Sequence, residues 1–128
     1  MKNYEKKRIL VVDDEQDFTG LLKVCLERTE RFVVEVENVS TRALETARRF
    51  GPHLILLDVV MPEPSGDVLA NRFKENPKLK NVPIVFLTAL ATPDEVHQHA
   101  GLIGGLPFLA KPVSIPEVIN CLDKQLPA

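Results

Sequence analysis

Three runs of four apolar residues constrain this chain more than anything else in it: Ile9-Leu10-Val11-Val12, Leu54-Ile55-Leu56-Leu57 and Ile84-Val85-Phe86-Leu87. None alternates with polar residues, so each suits a strand covered on both faces, as in parallel sheets packed between helices. Each run also stops on polar side chains, at Asp13-Asp14, Asp58 and Thr88 respectively. The middle case is the sharpest. A carboxylate is costly to bury without a partner, yet after Asp58 the chain enters the proline-containing stretch Met61-Pro62-Glu63-Pro64 before any helical pattern resumes.

Segments of helical period separate the runs. Phe18, Leu21, Leu22, Cys25 and Leu26 form one stripe, and Val39, Ala43, Leu44 and Ala47 a second. The second closes at Phe50-Gly51-Pro52, where glycine suits the left-handed position after a helix and proline prevents continuation. Val68, Leu69 and Phe73 mark a third helix that ends near Asn76-Pro77, with Ser65 as its expected cap. Thr92-Pro93-Asp94-Glu95 and Ser114-Ile115-Pro116-Glu117 both read as helix starts: cap residue, early proline and a capping-box glutamate. The latter precedes Val118, Ile119, Leu122 and Leu126.

Strand and helix thus alternate five times, which predicts a parallel sheet with helices on both faces. Two strands differ from the rest. Val34-Glu35-Val36-Glu37 alternates apolar and charged residues, and Leu106-Pro107-Phe108-Leu109-Ala110 contains a proline, which sheets tolerate mainly at edges. Placing both at the edges predicts a flavodoxin-like (βα)5 three-layer sandwich with strand order 2-1-3-4-5. Its ligand crevice lies at the carboxyl ends of strands 1 and 3. Asp13 and Asp14, Asp58, Thr88 and Lys111 would then converge on one rim. Singly, Asp13 and Asp14 read as helix caps, Thr88 as a turn residue and Lys111 as a solvated charge. Together they read as a site.

Composition removes other classes. The 128 residues suit one domain spanning 1–128, with a core over about 8–126. Sixteen basic against eighteen acidic side chains leave a net charge of −2, without the clustered Lys and Arg of a nucleic-acid footprint. Met1 to Arg8 has no apolar stretch, and no run approaches membrane-spanning length. Cys25 and Cys121 make no disulfide framework and read as inert thiols. The cytoplasm is the expected location. His97 and His99, two apart, cannot share a helical face as a metal pair, and His53 falls at the far end of the sheet from the acidic rim.

The chain resembles the receiver domain of two-component response regulators. Val11-Val12-Asp13-Asp14-Glu15 carries the likeness, with Asp58 followed by Met61-Pro62 and Gly66, then Thr88-Ala89 and Lys111-Pro112. The resemblance implies a phosphorelay switch that accepts a phosphoryl group on Asp58 from a sensor histidine kinase or phosphotransfer protein. It implies Mg²⁺ or Mn²⁺ held directly by Asp14, Asp58 and the Val60 carbonyl, with Asp13 acting mainly through water. Lys111 and Thr88 would contact the phosphoryl group, and Phe108 would move with Thr88 as the switch aromatic. Lys111-Pro112 is a candidate cis bond. Val60 and Leu90, two residues after Asp58 and Thr88, would flank the path of hydrolytic water. The fourth helix, expected to end through Gly101 and Leu102-Ile103-Gly104-Gly105, would lie on the output face. The implied partners are the phosphodonor and a downstream effector, with no direct nucleic acid or membrane contact. The expected state is a monomer or a weak phosphorylation-dependent dimer.

Two alternatives remain open at this point. A receiver-like module that is never phosphorylated would not need the full set of Asp13, Asp14, Asp58, Thr88 and Lys111. A metal-dependent aspartyl-phosphate phosphohydrolase usually places a second aspartate two residues after its nucleophile, where this chain has Val60.

Overall fold

A computed structural model of the chain describes residues 6–89, 102–103 and 106–126. Strands β1 (Lys7–Val12), β2 (Phe32–Glu37), β3 (Leu54–Asp58), β4 (Ile84–Thr88), β5 (Leu102–Ile103) and β6 (Leu106–Ala110) form one sheet in the order β2-β1-β3-β4-β6-β5. The five long strands are all parallel, so they follow the expected 2-1-3-4-5 order. Helices α1 (Gln16–Arg28), α2 (Ala43–Phe50), α3 (Gly66–Glu75) and α4 (Ile115–Gln125) cover the sheet, and a 3₁₀ turn, Ser40–Arg42, leads into α2.

The apolar runs divide between two cores because successive strand residues point to opposite faces. Ile9, Val11, Leu54, Leu56, Val85 and Leu87 pack with Leu22 and Leu26 of α1 and Val118 and Leu122 of α4. Leu10, Val12, Ile55, Leu57, Ile84 and Phe86 pack with Ala43 and Ala47 of α2 and Leu69, Ala70 and Phe73 of α3. All of these strand residues are almost fully buried. A sheet walled on both sides has no solvent face for polar residues to occupy, hence the uninterrupted runs.

Several expectations need correction. The buried face of α1 is Thr19, Leu22 and Leu26, while Leu21 is 62% exposed. A residue one position before Leu22 is rotated about 100° around the axis, too far to share its face. Val68 likewise lies exposed beside the buried face of α3, and Val39, also exposed, is an extended residue ahead of the 3₁₀ turn and not part of α2. The strand of Leu106–Ala110 is not the sheet edge. Leu102–Ile103, expected as a helix end, pairs antiparallel outside it, Leu102 opposite Pro107 and Ile103 opposite Leu106. The helix expected after Thr92, with His97 and His99, lies outside the described residues.

Helix ends follow the local sequence. Gly51 takes the left-handed conformation (φ 68°) at the C-cap of α2, its N–H donating to the Ala47 carbonyl at 2.9 Å. Ser114 and Glu117 form the expected capping box, each side chain accepting from the other's backbone N–H. Ser65 occupies the N-cap position of α3, but its hydroxyl donates to the Asp67 carboxylate at 2.5 Å instead of capping the backbone. Glu63–Pro64 and Lys111–Pro112 are both cis. Among the described residues no helix is long and apolar enough to cross a membrane.

The face assignment is testable by paired truncations. Leu56→Ala should lower unfolding free energy by about 2–5 kcal/mol, the range for large-to-small changes in a closed core. Leu21→Ala should stay within ~0.5 kcal/mol, as surface changes do. Denaturant titrations of both variants check this.

Candidate functional site

Parallel strands bring their carboxyl ends to one rim. Val12 pairs with Leu57 and Asp58 with Leu87, so Asp13, Asp58 and Thr88 end three neighbouring strands at nearly one level. By the alternation of the pleat, Asp58 falls on the same face as Leu54 and Leu56, the α1–α4 side. Lys111 follows β6 immediately, and its backbone N–H donates to the Thr88 carbonyl at 2.8 Å.

Four of the five rim residues are withdrawn from solvent. Asp13 is fully buried, Asp58 4% exposed and Thr88 1% exposed, while the Lys111 side chain is 11% exposed. Asp14 remains exposed. One carboxylate oxygen from each of Asp13, Asp14 and Asp58 lies within 4.8 Å of the others. Backbone groups support the buried pair: the Glu15 N–H donates to Asp13 Oδ1 at 2.9 Å and the Val60 N–H to Asp58 Oδ1 at 3.1 Å. The Lys111 ammonium donates to Asp13 Oδ2 and Glu15 Oε1, both at 2.6 Å, and stands 3.7 Å from Asp58 Oδ2.

The electrostatics follow from burial and like charge. Burial first, and then the Asp13 carboxylate, push the Asp58 carboxyl up to about 6, with Lys111 and the Val60 N–H acting in the opposite direction. Burial lowers the Lys111 ammonium, but hydrogen bonds to Asp13 and Glu15 outweigh that and leave it above the usual lysine range. Three clustered carboxylates with one shared ammonium are a donor set for a hard divalent cation, which takes oxygen ligands. The residues fit such an ion.

Contacts distant in sequence hold the loops of the rim. Asn38 Nδ2 donates to the Asp13 carbonyl at 2.8 Å and to Thr19 Oγ1 at 3.0 Å. Ser40 Oγ donates to the carbonyls of Pro62 at 2.9 Å and Glu63 at 3.3 Å. Gly66 begins α3 against the strand end itself: a Cβ there would stand 2.1 Å from the Asp58 carbonyl oxygen. Glycine is therefore required for the loop after Asp58 to fold back this closely.

Among the sequence candidates, Asp13, Asp14, Asp58 and Lys111 come together, with Thr88 at the adjoining strand end. Val60 is half-exposed and supplies its N–H to Asp58. Phe108 packs with the α2–α3 core, opposite Phe86 on β4. Leu90 lies outside the described residues. His53 accepts the Arg8 N–H on Nδ1 at the far end of the sheet, and Cys25 and Cys121 are free half-buried thiols. Burial pushes the Cys121 thiol up, so it is less prone to ionise.

Glu15, Phe18, Asn38 and Ser40 were not singled out as site residues from sequence. Glu15 could have been, standing next to Asp13-Asp14 three residues before Phe18, whose ring centroid is 4.8 Å from Lys111 Nζ. Nothing local marks Asn38 or Ser40.

The chain is thus a doubly wound α/β domain with buried carboxylates, a hydroxyl and an ammonium gathered at the carboxyl ends of neighbouring strands. The family model of the response regulator receiver domain matches residues 9–123, and the chain belongs to that family. It is 37% identical over 124 residues to an uncharacterized 14.6 kDa protein of Leptolyngbya boryana, covering 97% of this chain and 93% of that one. It is 34% identical over 116 residues to a probable cyclic di-GMP phosphodiesterase of Vibrio cholerae, covering 91% of this chain but only 26% of that protein. In structure it superposes on the chemotaxis protein CheY4 of Vibrio cholerae with a TM-score of 0.82 and 23% identity, covering 95% of this chain and all of that one.

The strained carboxyl should show in stability. Asp58 keeps its proton to about pH 6 when folded, against 3.8 ordinarily. Folding therefore favours its protonated form, and the stability linked to this group is lost as pH rises from about 4 to about 6. In metal-free protein, Asp58→Asn should exceed wild type by up to about 3 kcal/mol at pH 7. The difference should shrink toward zero near pH 4, as read by denaturant melts across that range.

Proposed function

We propose that the protein is a phosphorylation-controlled signalling switch whose phosphoacceptor is Asp58. The observation that carries this reading is the Asp58 carboxylate at a strand end, 3.7 Å from the Lys111 ammonium and grouped with Asp13 and Asp14. In the reaction, an Asp58 carboxylate oxygen attacks phosphorus. An oxygen–phosphorus bond forms as the bond from phosphorus to the donor's leaving group breaks, and the leaving group departs with the electron pair. Lys111 shifts to the phosphoryl oxygens and balances their charge, and Thr88 donates its hydroxyl to the same group. A divalent cation, Mg²⁺ or Mn²⁺, held by Asp13, Asp14, Asp58 and the Val60 carbonyl, would neutralise charge on the transferring group. Phe108 lies two residues before Ala110, the partner of Thr88 in the sheet, and is the aromatic positioned to respond to Thr88.

The donor is a sensor histidine kinase or phosphotransfer protein in the cytoplasm, and the phosphorylated surface addresses a downstream effector. The protein acts once per phosphoryl group received, as a monomer or weak dimer, and its only chemistry is gaining and losing that group. Residues 1–128 act as one receiver domain. Val60 in place of a second aspartate disfavours a turnover phosphohydrolase.

With Mg²⁺ and acetyl phosphate, the protein should gain a single phosphoryl group by intact mass, and chelation should abolish the gain. Asp58→Ala should gain none. Equal labelling of that variant would remove Asp58 from the role.

The lifetime of the phosphoryl group is a separate expectation. Val60 and Leu90 are apolar and cannot hydrogen-bond an attacking water, which favours slow hydrolysis. Losing water orientation worth ~1.4 kcal/mol in the transition state slows a reaction about tenfold. The double variant Val60→Asn, Leu90→Glu should therefore decay about tenfold faster than wild type in excess Mg²⁺. Identical decay would show that the metal and Lys111 set the lifetime instead.

A further inference from the structure

We infer that Glu15 is a positioning residue that detains the Lys111 ammonium away from Asp58 until a phosphoryl group arrives. This rests on the reading of Asp58 as phosphoacceptor. Lys111 Nζ makes its two short contacts with Glu15 and Asp13, each at 2.6 Å, and its distance to Asp58, 3.7 Å, is too long for a hydrogen bond. The Phe18 ring lies against the ammonium as well, 4.8 Å from centroid to Nζ. Of the two short partners, Asp13 is buried and belongs to the carboxylate cluster. Glu15 does not: its side chain is 61% exposed, and Lys111 is the group its carboxylate engages.

The detention is built to be broken. A pair with one exposed partner is weak, because water competes for the carboxylate. A cleft of about 370 Å³ lined by Glu15, Phe18, Ala89, Lys111, Pro112 and Val113 keeps the Glu15 side of this pair open to water. A phosphoryl group on Asp58 brings extra negative charge beside a cation already 3.7 Å away, and that charge outcompetes a solvated carboxylate. Glu15 thus sets how readily Lys111 serves the reaction.

Three variants separate contact from charge, using acetyl phosphate with saturating Mg²⁺ and intact mass as the readout. Glu15→Gln should be phosphorylated about threefold faster than wild type, the scale of releasing a weak exposed pair. Glu15→Asp keeps the charge but is one methylene too short for the 2.6 Å contact, and should also be faster. Asp17→Asn removes an exposed charge from the first turn of α1 and should match wild type. In Glu15→Gln the ¹⁵N resonance of Lys111 Nζ should also move, reporting loss of the carboxylate contact, while an unchanged denaturant midpoint would separate this from a structural role. Wild-type rates in both Glu15 variants would overturn the inference, as would slower phosphorylation, or acceleration in Asp17→Asn equal to that in Glu15→Gln. Acceleration in Glu15→Gln with a wild-type rate in Glu15→Asp would overturn it too, leaving only a charge effect. If wild type itself is not labelled on Asp58, the proposed function fails instead.

Discussion

Two largely buried carboxylates, Asp13 and Asp58, stand at the ends of adjacent parallel strands, and the groups around them offset the cost of that burial. Unit charges about 4–5 Å apart at an effective dielectric near 20 repel by roughly 3–4 kcal/mol. That is a large fraction of the 5–15 kcal/mol by which domains are stable. Offsetting groups come from three places: the N–H of Glu15, the N–H of Val60 and the ammonium of Lys111. These do not fully offset the cost: burial first, and then the Asp13 charge, still hold the Asp58 carboxyl above its ordinary range. The free protein holds a surplus of negative charge that a cation would relieve.

Holding that surplus in place needs loops that do not relax. The segment after β2 supplies two of the ties. Asn38 fixes the carbonyl of Asp13, and Ser40 fixes the carbonyls of Pro62 and Glu63 in the loop after Asp58. Glycine at position 66 lets that loop return close enough for its own N–H to reach the Val59 carbonyl at 3.0 Å. The acidic loop and the loop after Asp58, remote in sequence, are therefore both fastened to the connection between β2 and α2.

What was readable in the sequence is what is local or periodic. Apolar runs announce double burial, so the three central strands and the rim positions after them could be placed from residue pattern alone. Asp58 was legible because a strand ending on a carboxylate, followed by a turn instead of a helix, conflicts with ordinary burial. The α1 stripe was read too wide: Leu21 is apolar yet 62% exposed, and periodicity cannot say which side of a stripe the sheet lies on. A two-residue strand such as Leu102–Ile103 has no period to detect. Glu15, Asn38 and Ser40 act through partners 96, 25 and 22 residues away, distances over which sequence carries no geometric signal.

The same geometry ties the proposed chemistry at Asp58 to strands beyond the rim. Lys111 is tied twice, through its ammonium to the acidic cluster and through its backbone N–H to the carbonyl of Thr88. A phosphoryl group drawing the ammonium toward Asp58 would load the end of β6, and Thr88 would be drawn by the same group through its hydroxyl. Both pulls meet at the junction of β4 and β6, where Thr88 pairs with Ala110 and Phe86 with Phe108. Phe108 packs only partly buried against the α2–α3 core, so its ring can reorient without opening a closed cavity. Fully buried neighbours such as Leu87 cannot do so at comparable cost. The proposed response is therefore expected to leave the rim along β6 and the partly buried Phe108, and to spare the doubly covered strands β1 and β3.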